Sequence, residues 1–221
     1  MDGLTYAYYP VFVASDDVRD FGQDDAAQEV ENLFKEWGDR GVTIRGTYST
    51  VGFRPDADLM AWWVGPSADA LQDLLVSFRR TQIGRALELS WSFMGVVKPA
   101  EFSRDHVPAF VRGEPPKRYL CVYPFVRTPE WYLLPAEERA EMLREHGGIG
   151  REFPDVLANT TSAFGIGDWE WILAFEADAL DRIVDCIRRL RDANARRYTK
   201  EEVPFVTGIR KDVRAALADL A

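Results

Sequence analysis

The sequence predicts an α+β protein made of two fused ferredoxin-like domains, each with the order βαββαβ, that form a dimeric α+β barrel. Three observations support this fold class. Strand-like and helix-like segments follow the same order twice within 221 residues. The motif Ala-Asp-Ala-Leu, followed at the same spacing by two arginines, starts at Ala68 and again at Ala177. Residues 99–118 contain four prolines and mixed charges, which indicates a linker between the halves.

In the first half, residues 4–14 are apolar and β-prone, which predicts a strand. Apolar residues then recur at helical spacing up to Trp37 and stop at Gly38, as at the end of a helix. The remaining elements of this half are predicted to be strands at residues 42–53 and 58–65, a helix at 68–89 and a closing strand at 91–98.

The second half repeats this order. Its predicted elements are a strand at residues 119–128, a helix at 135–146, strands at 156–167 and 169–177, a helix at 180–198 and a last strand at 204–211. The first helix is expected to end at His146, because glycines follow it. The pattern therefore divides the chain into an N-terminal domain (residues 1–98), a linker (99–118) and a C-terminal domain (119–221).

Composition excludes several classes of partner. The net charge of -9 disfavours nucleic acid, whose phosphates require a basic surface. No apolar run approaches the ~20 residues that span a membrane, and the N-terminus lacks a secretory pattern. Cys121 and Cys186 have no ligand-type spacing, so both are expected to be buried, reduced thiols. These features predict a globular cytoplasmic protein without a membrane span.

The two histidines are the first candidates for chemistry. His146 shares a helix face with Met142 and Leu143 and precedes Gly147 and Gly148, which would let a flat ligand approach closely. A single imidazole on an apolar face suits an axial ligand to haem-type iron. A hydrogen-bonded core or capping histidine would give the same pattern. His106 lies in the linker, where an exposed loop residue is the plain alternative.

The strand before that helix carries two further candidates. Tyr123 and Arg127 are four residues apart and therefore share a face of the strand. A phenol near an oxidising centre can relay one electron, and an inward guanidinium is a natural partner for a carboxylate. A packing tyrosine and an arginine directed to solvent remain open alternatives. Trp131 and Tyr132 follow in a turn, where they could equally form a hydrophobic lid.

Several separated blocks give a more specific signal. They are YPFVRTPEWYLLPAEERAEMLREHG, EFPDVLANT, GDWEWILAFEA, FRRTQIGR, KPAEFSRDHVPAFVRGE and EEVPFVTGIRK. Taken in their order along the chain, they resemble the chlorite dismutase-like superfamily, and within it the coproheme decarboxylases of the actinobacterial type. The resemblance extends from Tyr6 to Lys211.

The resemblance implies a fold, a reaction and a set of site residues. The family pairs two ferredoxin-like domains in an α+β barrel, commonly as a homopentamer. Its decarboxylases bind iron coproporphyrin III (coproheme) in the C-terminal domain and convert two propionates to the vinyl groups of haem b with hydrogen peroxide. By position, His146 corresponds to the axial iron ligand, Tyr123 to the radical tyrosine and His106 to the distal base. Arg127 and Trp131 correspond to residues beside the porphyrin.

Other roles in the same fold stay open. A chlorite dismutase is disfavoured, because the strand after the ligand helix reads VLANTTSAFG, without the arginine that such enzymes place there. A peroxidase-like haem enzyme and a non-enzymatic porphyrin carrier or sensor are further alternatives. Additional propionate contacts are expected among Arg104, Arg196 and Arg197. The implied partners are coproheme, hydrogen peroxide, further copies of the chain and, transiently, a coproporphyrin ferrochelatase.

Overall fold

The structure is a computed structural model that describes residues 4–20, 22–99, 101 and 107–220. It divides into two compact units. The first contains the chain up to Val97 together with the chain from Val206 onward, and the second runs from Lys98 to Phe205.

The elements follow the predicted alternation of strands and helices, with several shorter pieces added. The strands are β1 (Tyr6–Ala14), β2 (Thr43–Arg54), β3 (Ala57–Gly65), β4 (Leu87–Val96), β5 (Tyr119–Arg127), β6 (Leu157–Ser162), β7 (Trp171–Ala177), β8 (Thr199–Glu201) and β9 (Val206–Lys211). The α-helices are α1 (Gln23–Asp39), α2 (Ala68–Phe78), α3 (Gln82–Arg85), α4 (Pro129–Leu133), α5 (Ala136–Gly150), α6 (Leu180–Leu190) and α7 (Val213–Ala218). Two 3₁₀ helices span Asp16–Asp20 and Asn194–Tyr198.

The first unit has the ferredoxin-like strand order β4-β1-β3-β2, with neighbouring strands antiparallel. Its core lies between this sheet and the helices, and fully buried Trp63 is at its centre. The Trp63 ring makes edge contacts with Tyr8 (5.8 Å between centroids), Phe78 (6.0 Å) and Phe34 (6.1 Å). Edge-to-face aromatic pairs at such distances stabilise a core beyond the area they bury.

The helix predicted at residues 68–89 is interrupted in the structure. α2 ends at Phe78, and a new turn starts where the Thr81 hydroxyl accepts a hydrogen bond from the Gly84 amide (3.0 Å) and donates one to the Phe78 carbonyl (2.7 Å). A Cβ atom on Gly84 would lie 1.9 Å from that carbonyl oxygen, so only glycine fits there. The early end of the helix lets β4 begin at Leu87, where it pairs with Ala14.

The second unit has the order β6-β7-β5-β8, again with antiparallel neighbours. Its register aligns Tyr123 of β5 with Leu173 of β7, and Leu173 with Thr160 of β6. The helix predicted at residues 180–198 ends at Leu190 instead, and the chain continues through the second 3₁₀ helix into β8. β8 then pairs with the end of β5, at Val126.

The last strand does not stay with the half of the chain that precedes it. β9 pairs with β2 through Thr47–Lys211, Tyr48–Arg210 and Ser49–Ile209, and α7 packs on the core of the first unit. The sequence pattern assigns these residues to the C-terminal domain, whereas the compact units place them with the first.

Two further findings concern the expectations from composition. Cys121 and Cys186 are both free and buried, as predicted. Among the described residues, no helix is long and apolar enough to cross a membrane.

Candidate active site

The candidate site is built on β5, whose side chains alternate between two faces. Cys121 and Tyr123 lie in a hydrophobic cluster with Phe175 and with Ile183 and Cys186 of α6. Arg127 lies beside Phe125, with the guanidinium carbon 4.6 Å from the ring centroid, so the two share a side of the strand. The strand thus directs the Tyr123 phenol and the Arg127 guanidinium to the same face.

Tyr123 is tightly enclosed. Only 5% of it is exposed, and its ring stacks on Phe205 at 4.4 Å and on Phe175 at 6.0 Å. Burial, together with the nearby Cys121 thiol, raises the pKa of the phenol well above its ordinary value of 10.0. Among the residues that the structure describes, none makes a hydrogen bond with the Tyr123 hydroxyl.

Arg127 is held by aromatic rings. Its guanidinium lies 4.1 Å from the Trp131 ring centroid, and one N–H donates to the carbonyl oxygen of Ala195 (2.7 Å). Within the described part of the chain, no carboxylate lies within ion-pair distance of it. Burial lowers the pKa of Arg127 to about 10, partly offset by Tyr132, Glu202 and Glu170. A desolvated cation without a counter-charge favours an anionic ligand.

Trp131 and Tyr132 lie on α4, a short helix that the sequence did not predict. Trp131 is buried against Arg127 and Tyr198, whereas Tyr132 is 39% exposed. The Tyr132 hydroxyl donates a hydrogen bond to Glu170 Oε2 (2.6 Å), which also accepts the backbone N–H of Arg127 (2.8 Å). Trp131 therefore lies on the Arg127 side of the site, and Glu170 links α4 to the end of β5.

α5 carries His146, which is half-buried. The expectation that this helix ends at His146 is wrong, because the helix continues through Gly147 and Gly148 to Gly150. The backbone N–H of Arg151 still bonds to the Gly147 carbonyl (3.2 Å), so these glycines form an extra helical turn. A Cβ on Gly150 would meet no atom within 4 Å, which leaves space beside the last turn.

The remaining candidates divide into two groups. His106 and Arg104 lie outside the described residues. Arg196 forms an ion pair with Glu202, which also pairs with Arg191. Arg197 has no ion-pair partner within the described chain and remains a candidate for binding an anion.

A cavity of about 460 Å³ opens between α5 and the 3₁₀ helix Asn194–Tyr198. Its lining residues are Glu138, Glu141, Met142, Glu145, Asn194, Arg197 and Tyr198. Three carboxylates make it poorly suited to an anion, and His146 is not among the lining residues. The cavity adjoins the Arg127 side of the site, because Tyr198 lines it and also packs against Trp131. Among the described residues, no group of three or more His, Cys, Asp or Glu side chains could hold a metal ion.

Three residues beside the site had no signal in the sequence. Phe205 stacks on Tyr123, Glu170 accepts from Arg127 and Tyr132, and Glu202 binds two arginines near Tyr123. Phe205 and Glu170 contact partners that are distant along the chain, where periodicity gives no information, whereas Glu202 binds arginines that shortly precede it. The whole arrangement offers a buried phenol and a desolvated cation to a ligand that is apolar in the middle and anionic at its edge.

Comparisons with known proteins identify the family of the chain. The family model described as chlorite dismutase matches residues 23–211. A coproheme decarboxylase from Mycolicibacterium smegmatis is 48% identical over 220 residues, which cover 98% of this chain and 94% of that protein. A coproheme decarboxylase from Thermus thermophilus is 32% identical over 164 residues, covering 67% of this chain and 65% of that protein.

Solved structures give the same result for the fold. The imidazole complex of a chlorite dismutase from Candidatus Nitrospira defluvii matches with a TM-score of 0.87 at 21% identity, covering 100% of this chain and 96% of that one. The structure of a variant of the same enzyme in complex with cyanide also matches with a TM-score of 0.87. The predicted fold class is confirmed by this similarity.

Proposed function

The chain belongs to the chlorite dismutase family, and from this membership we propose that it is an enzyme that decarboxylates iron coproporphyrin III (coproheme) to haem b with hydrogen peroxide. The Mycolicibacterium smegmatis relative, similar over nearly its whole length, carries the name coproheme decarboxylase. The single structural observation that supports the reaction is the buried Tyr123, whose ring is enclosed by Phe205 and Phe175 on the strand that also carries Arg127.

The residues present fit this substrate. Coproheme is a flat apolar ring with four propionates, and it needs a cation near at least one carboxylate. Arg127 has no carboxylate partner in the described chain and still has free N–H groups. Phe125 and Trp131 hold its guanidinium in place, which reduces the entropy lost when a carboxylate binds. A bidentate contact between the guanidinium and a propionate follows from this geometry.

His146 is the proposed ligand to the iron, and His106 the proposed base that accepts a proton from hydrogen peroxide. An imidazole suits the second task because its ordinary pKa lies near neutrality. The bound iron porphyrin supplies the one-electron oxidising power for the reaction. Trp131 and Arg127 orient the edge that carries the reacting propionate.

Tyr123 is the proposed radical relay. Burial keeps its phenol protonated, so it gives up an electron and a proton together. The phenoxyl radical then takes a hydrogen atom from the β-carbon of a propionate, which restores the phenol. The propionate radical then gives a second electron to the remaining oxidising equivalent from the same hydrogen peroxide, which ends as water, while carbon dioxide leaves and a vinyl group remains. Repetition at the second propionate completes haem b, and the three-propionate product of the first step has to be re-presented to the same tyrosine.

Product masses test the proposal directly. The purified protein is mixed with coproheme, hydrogen peroxide is added, and the porphyrins are analysed by mass spectrometry. The expected result is stepwise loss of two carboxyl groups as carbon dioxide. Tyr123→Phe should bind coproheme yet form no haem b, whereas Tyr198→Phe, a tyrosine outside the relay, should remain active. Bleaching of the porphyrin without decarboxylation would contradict the proposed function.

Chlorite provides a second discriminating substrate. β6 contains no arginine, the residue expected on this strand of a chlorite-degrading branch. The protein loaded with haem b should therefore release little oxygen from chlorite. A homopentameric assembly, a cytoplasmic location and transient contact with a coproporphyrin ferrochelatase are part of the same proposal, and sedimentation of the purified protein tests the first of them.

A further inference from the structure

A second tyrosine near the site, Tyr132, has a hydrogen bond to a carboxylate, which Tyr123 does not have among the described residues. The Tyr132 hydroxyl donates to Glu170 Oε2 over 2.6 Å, a short distance even for a hydrogen bond to a carboxylate. Removing an electron from a phenol makes its hydroxyl strongly acidic, so oxidation is easiest where a base already holds the proton. Glu170 is such a base, and it is fixed in place by the backbone N–H of Arg127.

The surroundings of Tyr132 connect it to both the site and the solvent. Trp171 of β7 is paired with Phe125 of β5, the strand that carries Arg127. The Phe164 ring packs edge-on against Trp171 and Tyr132, with centroids 5.3 Å from Trp171 and 6.1 Å from Tyr132. Tyr132 itself is 39% exposed, so a small molecule in solution can reach it.

The contrast with Tyr123 separates two kinds of redox group. Tyr123 is enclosed by Phe205 and Phe175 and has no described proton acceptor, which suits a radical that reacts with a substrate inside the site. Tyr132 is exposed and already hydrogen-bonded to a proton acceptor, Glu170. This arrangement suits a radical that receives an electron from a donor dissolved in the solvent. Desolvation, followed by the hydrogen bond to Glu170, raises the pKa of Tyr132, so it stays a phenol until it is oxidised.

We propose that Tyr132 and Glu170 form a second, proton-coupled redox site through which the protein oxidises small one-electron donors of the ascorbate or phenol class at its surface. Tyr132 loses one electron to an oxidising equivalent from the porphyrin site, and its proton moves to Glu170 Oε2. The phenoxyl radical then takes one electron from the donor, and the proton returns from Glu170. The supply of the oxidising equivalent rests on the proposed function, whereas the Tyr132–Glu170 chemistry does not.

The redox pair can be tested without any porphyrin. Flash-quench oxidation of the full chain with photogenerated ruthenium(III) tris-bipyridine generates tyrosyl radicals that transient absorption detects. Glu170→Gln keeps an oxygen that can accept both hydrogen bonds but cannot take up the phenolic proton. It should slow the fast phase of radical formation roughly a hundredfold, as loss of a positioned proton acceptor does. Tyr132→Phe should remove that phase, and Tyr198→Phe, a matched control, should keep it.

Two outcomes would overturn the proposal. One is a fast phase of equal rate in Glu170→Gln and the unmodified protein, and the other is a fast phase that survives Tyr132→Phe. Unfolding temperatures within the series distinguish a lost base from a disturbed fold. A merely structural hydrogen bond would shift the unfolding temperature and leave the rate of radical formation unchanged.

The loaded protein then tests the biological step. With coproheme and peroxide present, Tyr132→Phe should lower the rate of ascorbate oxidation several-fold while haem b still forms. Unchanged ascorbate oxidation would contradict a surface redox site. If no haem b forms in the unmodified protein but the Tyr132 radical does, the proposed function fails and the redox pair stands.

Discussion

Two side chains of β5 show how one strand prepares a site. The Tyr123 ring is fixed by Phe205 and Phe175, and the Arg127 guanidinium is fixed by Phe125 and Trp131, so neither polar group has to be reoriented when a ligand arrives. Both groups are desolvated before binding, which strengthens the hydrogen bonds that they form with it. Aromatic packing thus prepares the polar contacts.

Loss of the Arg127 charge should weaken binding. Arg127→Met keeps a long apolar stem between the two rings and removes the cation. We expect the dissociation constant for coproheme to rise roughly ten- to a hundredfold, since hydrogen bonds to charged groups contribute about 1.5–3 kcal/mol. Absorption titration measures the change. Arg118→Met, which removes a cation that stacks on Tyr119 at the other end of the strand, is the matched control. Equal dissociation constants for both variants would contradict the role of Arg127.

The raised pKa of Tyr123 predicts an effect on stability at alkaline pH. Below pH 10 the phenol is protonated in both the folded and the unfolded chain. Above it the unfolded chain loses the proton while the folded chain keeps it, so the folded state loses stability as pH rises towards the folded pKa. Tyr123→Phe removes this contribution. Its unfolding temperature should therefore fall less between pH 9 and 11 than that of the unmodified protein, as calorimetry would show, and parallel curves would contradict the shift.

For single residues, the sequence predicted which face of a strand a side chain lies on better than it predicted which residues that side chain contacts. The spacing of Tyr123 and Arg127 is enough to place them on one side of a strand, and the structure agrees. The stacking of Phe205 on Tyr123 and the hydrogen bond from the Arg127 backbone to Glu170 could not be predicted, because both join segments that the chain brings together only after folding.

Among the elements, the interrupted helix of the first unit depends on one glycine. The apolar positions of residues 68–89 have helical spacing throughout, which is why the pattern predicted a single helix. The Thr81 cap and the missing Cβ of Gly84 end that helix locally, and the freed residues join β4. The cap has a recognisable side chain, but the close approach of Gly84 to the Phe78 carbonyl exists only in three dimensions.

Two glycine substitutions should therefore change the free energy of unfolding in opposite directions. Gly84→Ala should lower the free energy of unfolding by about 3 kcal/mol, because its Cβ would overlap a backbone oxygen. Gly38→Ala, in the last turn of α1 with nothing within 4 Å of its Cβ, should raise it by about 0.5–1 kcal/mol. Urea denaturation of both variants measures the difference. Equal effects would show that the geometry around Gly84 relaxes.

On the scale of the whole molecule, the first unit combines the chain up to Val97 with the chain from Val206 onward. Arg214 of α7 forms ion pairs with Asp24 and Glu31 of α1, and Leu217 is buried in the core of the first unit. The repeat pattern could not show this. Periodicity identifies β9 as a strand, but the choice of its partner depends on which sheet edge it meets.

This arrangement predicts where a C-terminal substitution acts. Leu217→Ala should destabilise the first unit by about 2–4 kcal/mol, the usual cost of such a change in a core. Hydrogen exchange should become faster in α1 and leave α6 protected. Val184→Ala, on α6 and 58% exposed, is the control and should change stability by less than about 0.5 kcal/mol. Faster exchange confined to α6 in the Leu217 variant would contradict the assignment.

The pairing of β9 with β2 also has a consequence for protein synthesis. The ribosome completes β1–β4 long before it makes β9, and at roughly 5–20 residues per second the intervening chain takes on the order of 10 s. Through that interval the β2 segment that β9 later covers has open hydrogen-bonding groups, beside the exposed apolar side chains Val51 and Phe53. A nascent chain that stalls before Val206 would expose an unpaired strand edge, which can pair with other nascent chains on the same polysome. We therefore expect β9, once it is made, to reduce association between chains through this edge of β2.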